Sequence, residues 1–194
     1  MEIIYLLTFK NMKYFTILPL EPRWKYDPTI PQGYNINNDL WIDNNDLLKW
    51  IEIKKWNENN TIYIKWKTLE DYMVFYPFII ISSKIKEDME KEWITWVQYL
   101  PIKLEQIDNS DNFIEWYYVL NILNREKEYT IDSNLSRMGL NIYLWVWFYK
   151  DKLFGYDIFR IDWKEEFNIF ISEKIKKIIN KYVHSVSFEK VKMS

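Results

Sequence analysis

The chain holds a single histidine, His184, and no cysteine. Thiolate metal sites, cysteine nucleophiles and redox motifs are therefore excluded. A lone histidine works as a general base when a nucleophile and an orienting acid flank it in space. His184 follows the last predicted helix, where the simpler role is to bond the final carbonyls and favour the negative end of the helix dipole. Zinc sites need several His or thiolate ligands, and this composition does not offer them. Carboxylates are abundant, and two of them across a cleft can cleave glycosidic bonds. Glu87, Asp88, Glu90 and Glu92 crowd one predicted helix and its exit, which reads as a solvated face. Asp132 and Asp157 remain as acids worth testing. Asp43-Asn44-Asn45-Asp46 resembles the start of a calcium loop, but Leu48 stands where that loop needs its glycine. With only 3 glycines there is no phosphate-cradling loop and no nucleophile elbow. The expectation is a protein with no catalytic residues, no metal and no cofactor.

Aromatic side chains are the richer resource: 11 Trp, 15 Tyr and 11 Phe, or 19% of the chain. Trp and Tyr bury large areas at low entropic cost, which suits them to binding hot spots. Tyr143, Trp145, Trp147 and Tyr149 alternate with Ile142, Leu144, Val146 and Phe148, so a strand over 141–149 is predicted with two apolar faces. Such a strand is expected to be central, its aliphatic face under helices. Its aromatic face can close a core layer, grip a partner, or stack on a sugar or base. Trp24 and Trp41 lie in polar, turn-rich stretches, where recognition often resides. These six residues are the candidate partner-binding positions, and core packing is the alternative for each.

The elements that must position them follow from periodicity and punctuation. Residues 14–20 read as a strand. Residues 21–34, with Pro22, Pro28, Pro31 and Gly33, are expected to be irregular, and 35–46 are rich in Asn and Asp turn formers. A short helix over 47–56 is predicted, with a strand as the alternative, and then a strand from Thr61 to Trp66. Phe78 to Ile81 is an apolar run; Ser82-Ser83 then offers an N-cap for a helix to Lys91. The unit recurs as a strand over 167–171, a cap at Ser172 and a helix over 173–182. There Ile175, Ile178, Ile179 and Tyr182 share a face at the 3.6-residue period. Ile81-Ser82-Ser83-Lys84-Ile85-Lys86 matches Ile171-Ser172-Glu173-Lys174-Ile175-Lys176 at five of six positions. Between the two units lie strands at 95–104 and 116–122, separated by a polar loop over 106–112. A hairpin of 141–149 with 153–161 about Lys150-Asp151-Lys152 follows. Strands in runs with helices at their ends indicate an α+β fold: a mostly antiparallel sheet with two or three helices packed on it.

Partner classes narrow accordingly. A net charge of −2 lacks the basic excess of nucleic-acid readers. Ile3 to Phe9 is too short to span a membrane and carries no signal-peptide flanks. Absence of cysteine fits a reducing cytoplasm. Residues 1–60 read as an extended N-terminal segment, with 1–11 a possible upstream extension, and 61–194 as the main domain.

Over residues 61–191 an ordered set of stretches is identifiable. These are Ile80-Ile81-Ser82-Ser83-Lys84-Ile85, Val97-Gln98-Tyr99-Leu100-Pro101-Ile102, Tyr117-Tyr118-Val119-Leu120-Asn121 and Thr130-Ile131-Asp132 with Ser136. Asp157-Ile158-Phe159-Arg160, Ile171-Ser172-Glu173-Lys174-Ile175 and Val186-Ser187-Phe188 complete it. In order and spacing the set resembles immunity protein family eleven of bacterial polymorphic toxin systems. Ser185 stands near where that family has a glycine. The resemblance implies an α+β binding protein that neutralises a cognate protein toxin without catalysis or cofactor. It carries over no binding residues.

Overall fold

The computed structural model describes residues 14–17, 51–58, 60–64, 70–75, 78–106, 109–126, 130–139, 142–153, 155–161, 169–184 and 186–194. In chain order the strands are β1 (Tyr14–Ile17), β2 (Thr61–Ile64), β3 (Tyr72–Phe75) and β4 (Phe78–Ser82), followed by helix α1 (Ser83–Lys91). Then come β5 (Val97–Gln106), β6 (Asn109–Ile122), β7 (Arg125–Glu126), β8 (Arg137–Gly139), β9 (Ile142–Trp145) and β10 (Trp147–Phe148). The chain ends with β11 (Ile158–Ile161), β12 (Ile169–Ser172), helix α2 (Glu173–Tyr182), β13 (Phe188–Lys190) and β14 (Lys192–Met193). The fold is α+β, with mostly antiparallel sheets.

The chain divides into two compact units: Met1–Leu18 with Asn124–Lys181 and Ser185–Ser194, and Pro19–Leu123 with Tyr182–His184. One holds a five-stranded sheet ordered β13-β1-β12-β11-β7, and the other a five-stranded sheet ordered β2-β5-β6-β4-β3. In each, only the strand at one edge is parallel to its neighbour, β7 on β11 and β2 on β5.

The sequence explains the centre of each sheet. Ile79, Ile80 and Ile81 of β4 are all buried, as are Ile169, Phe170 and Ile171 of β12. A continuous apolar run, rather than an alternating one, suits a strand covered on both faces. Each run stops at a serine and turns into a helix. On α1, Ile85 and Met89 are buried one turn apart; on α2, Ile175, Ile178 and Ile179 are buried. Burying each such side chain contributes about 1.5–3 kcal/mol, and Ile85→Ala or Ile175→Ala would cost about 2–5 kcal/mol through the cavity left behind. In the first-named unit, Phe148, Phe159 and Phe170 form a ring cluster with centroids 5.1–5.8 Å apart. Ile131, Ile161 and Val191 complete that core.

Several expectations are corrected. Residues 51–58 are irregular, not helical. The Gln98 side chain bonds Ile53 twice, accepting from its N–H at 2.8 Å and donating to its carbonyl at 3.1 Å. Asn121 donates to the Ile51 carbonyl, and the Trp56 indole to the Pro101 carbonyl. Two amide side chains thus satisfy backbone groups that a helix would have satisfied internally. The polar stretch 106–112 is not a loop throughout, because β6 starts at Asn109, paired with Gln106. The hairpin of 141–149 with 153–161 is not formed. Its turn is present, with the Lys152 N–H on the Tyr149 carbonyl at 3.1 Å, but β10 pairs with β14 and β11 with β12. Nor is 141–149 one central strand: it breaks at Val146, and β9 pairs with β8 in a two-stranded ladder.

Candidate partner-binding surface

Helix α1 ends in a way its sequence conceals. The Glu92 N–H reaches the Asp88 carbonyl, the Trp93 N–H the Glu90 carbonyl at 3.1 Å, and the Ile94 N–H the Met89 carbonyl at 3.0 Å. The last two bonds define a Schellman cap, and buried Ile94 and Met89 are its hydrophobic clasp. The cap needs a left-handed residue, normally glycine, at the position Trp93 holds with φ 55°. Trp96 is left-handed as well, with φ 61°. For a side chain with a Cβ that conformation costs about 1–2 kcal/mol.

Neither indole recovers this by burial. Trp93 is 85% exposed and Trp96 66% exposed. Backbone order is nevertheless imposed on both sides, since the Trp96 carbonyl accepts from the Leu123 N–H at 2.9 Å. Two large aromatic groups are therefore held in water on a fixed backbone. Trp116 of β6, 68% exposed, is the third exposed Trp among the described residues. Flanking α1, Lys86 pairs with Glu90 at 2.8 Å, and Lys91 lies 3.5 Å from Asp88 and 4.0 Å from Glu87. These lysines are engaged by acids on their own helix.

The six sequence candidates fare differently. Trp24 and Trp41 lie outside the described residues. Tyr143 and Trp145 are placed by backbone in β9. Trp147 and Tyr149 are half-buried, and each ring carries a lysine of this chain, Lys192 at 5.3 Å and Lys152 at 3.7 Å from the centroid. A ligand stacking on those faces would have to displace a cation–π contact. The alternation does hold locally, since Phe148 between them is fully buried.

The acids singled out are engaged in structure. An Asp157 carboxylate oxygen accepts from the Ser172 hydroxyl at 2.6 Å, and the other pairs with Lys174 at 3.0 Å. Asp132 accepts from the Asn134 N–H at 3.1 Å in a local turn. His184 is exposed, two residues beyond α2. Among the described residues no three His, Asp or Glu groups gather as a metal site, and no helix is long and apolar enough to cross a membrane. Compared with known proteins, the chain matches no family model and no curated sequence.

Proposed function

We propose that this protein acts by covering another protein: a non-catalytic immunity protein that binds and neutralises a cognate toxin in the cytoplasm. The observation that carries the binding part is the pair Trp93 and Trp96, two exposed indoles on left-handed backbone. Backbone strain kept at a position where glycine would serve suggests use, and Trp is among the residue types enriched at binding hot spots. The toxin part is supported by the ordered motifs over 61–191. An interface of ordinary size would cover about 800 Å² on each side. The complementary surface is an apolar pocket that takes the two indoles. The test is genetic and physical: the gene adjoining this one is lethal when expressed alone and tolerated with it, and the two products co-purify. Tolerance without this gene would end the reading.

An aromatic platform for sugar or single-stranded nucleic acid is the second reading, and Trp93 with Trp96 serve it better than Trp145 with Trp147. Quenching of Trp fluorescence by oligosaccharides or oligonucleotides at millimolar concentration would favour it.

A further inference from the structure

The two helix-bearing sheets share more than a short motif. In each, an aspartate leads a strand that pairs antiparallel with the strand before the helix, in the same register: Tyr72 faces Ile81, and Ile158 faces Ile171. The carbonyl of that aspartate accepts from the N–H of the serine at the helix start, Asp71 from Ser82 at 2.8 Å and Asp157 from Ser172 at 2.7 Å. Its carboxylate pairs with the lysine two residues beyond, Lys84 at 3.3 Å and Lys174 at 3.0 Å. The lysine four residues beyond each serine lies over an aromatic ring of the strand that follows the helix, Lys86 over Tyr99 at 5.5 Å and Lys176 over Phe188 at 5.6 Å.

The fourth strand is where the chain order departs from the spatial order. β6 sits between β4 and β5, and β1 sits between β12 and β13. Their registers coincide. Tyr117, Tyr118 and Val119 face Ser82, Ile81 and Ile80; Tyr14, Phe15 and Thr16 face Ser172, Ile171 and Phe170. On the other side Val119 faces Leu100 and Thr16 faces Glu189. The residues correspond too: Tyr117-Tyr118-Val119-Leu120 against Tyr14-Phe15-Thr16-Ile17. Along the chain the order is thus inserted strand, aspartate strand, serine strand, helix, following strand, and then the same five again.

We infer that the chain is two copies of one module, joined head to tail, that have exchanged their first strands, and that the slot beside each helix-leading strand accepts such a strand from a second copy. The physical cause is loop closure. The second copy's first strand, β6, follows β5 almost immediately and folds back on it as a hairpin, at a lower entropic cost than any distant pairing. That occupies the first copy's slot. The slot between β12 and β13 is then filled by β1 from the other end of the chain. A second chain carries the same Tyr14–Ile17 strand and fits the same slot, as in domain-swapped assemblies.

Because the chain has no cysteine, paired substitutions report strand neighbours without background. Thr16→Cys with Glu189→Cys should oxidise to an intrachain disulfide in folded full-length protein. Thr16→Cys with Leu100→Cys, the pairing of an unexchanged first copy, should not. A disulfide in the second pair, or none in the first while circular dichroism matches the unsubstituted protein, would overturn the exchange. Should the Leu100 variant fail to fold, Thr16→Cys with Glu189→Cys still decides, because Glu189 is exposed. For the second copy, chains bearing only Thr16→Cys and chains bearing only Glu189→Cys are mixed, unfolded and refolded together. Disulfide-linked heterodimers should grow with protein concentration; their absence at the highest concentration would overturn the partner.

Discussion

Counted from their capping serines, the two helices leave their sheets through corresponding residues that behave oppositely. Eleven positions on from Ser82 stands Trp93, 85% exposed; eleven on from Ser172 stands Val183, 3% exposed. Fourteen positions on, Trp96 is 66% exposed where Val186 is 8% exposed. The shared parts of the two sheets are those that folding requires: an apolar central strand, a serine, a buried helix face, an aspartate tied to a lysine. The exits are not shared. At one the two positions are buried valines, and at the other they are exposed indoles held at a backbone cost. Stability gives no reason to prefer the second arrangement, so under the proposed function the exit of α1 is where binding would be added to a folding unit.

The largest expected effect tests that contrast directly. If the proposed function holds, replacing Trp93 and Trp96 by Ala should weaken binding of the cognate toxin by about 2 kcal/mol or more per hot-spot residue, measured by titration calorimetry, with the thermal midpoint unchanged. Val183→Ala and Val186→Ala should do the reverse, leaving binding intact and lowering stability by about 1–2 kcal/mol each through lost burial. Equal loss of binding in both pairs would erase the distinction between the exits.

Alkaline pH should strain the unit that holds β3 to β6. Burial, aided by the nearby Asp71 carboxylate, pushes the Tyr117 phenol up to about 12. Burial also raises Tyr72 and, with Glu90, Tyr99. An unfolded tyrosine ionises near pH 10. Because the folded groups hold their protons longer, their stabilising contribution is whole below pH 10; the Tyr117 part is lost as pH rises through about 12. Denaturant titrations followed at the β3–β6 sheet should show stability falling across that window, and Tyr117→Phe should flatten the fall.

The helix starts differ as well, on a smaller scale. The Ser172 hydroxyl donates to Asp157 at 2.6 Å and lies 3.5 Å from the Ile175 N–H that it caps. The Ser82 hydroxyl makes no cap bond and is buried without a hydrogen-bond partner. Ser172→Ala should therefore cost about 1–2 kcal/mol, and Ser82→Ala about 0.5 kcal/mol or less, by chemical denaturation. A larger loss at Ser82 would show that the two starts are equivalent in solution.

How much of this could be read beforehand follows the range of the interactions. Both strand-serine-helix units were legible because their signals are local: an apolar run, a cap residue, and buried positions one turn apart. The irregular course of 51–58 was not, because it depends on Gln98 and Asn121, 45 and 70 residues away. The supposed hairpin failed for the same reason. Lys150-Asp151-Lys152 does turn, but β12 and β14 compete for its flanks, and pairing with distant strands won. Alternation pointed to Trp145 and Trp147; Trp96 falls at the start of the strand predicted over 95–104, but β5 begins only at Val97, and Trp93 follows a helix end. At Trp93 the one sequence signal was negative, a helix end without the glycine its cap favours.

That missing glycine supplies the smallest and cleanest test. Trp93→Gly removes the steric penalty of a Cβ at φ 55° while keeping every backbone bond of the cap. A side chain that is 85% exposed gives up little packing when it is deleted. Unfolded-state freedom gained by glycine offsets part of the benefit, so the net stabilisation should be about 0.5–1 kcal/mol. Trp93→Ala keeps the penalty and should gain nothing. If glycine instead destabilises the protein, the Trp93 indole is packed in solution and belongs to the core, and the contrast with Val183 disappears.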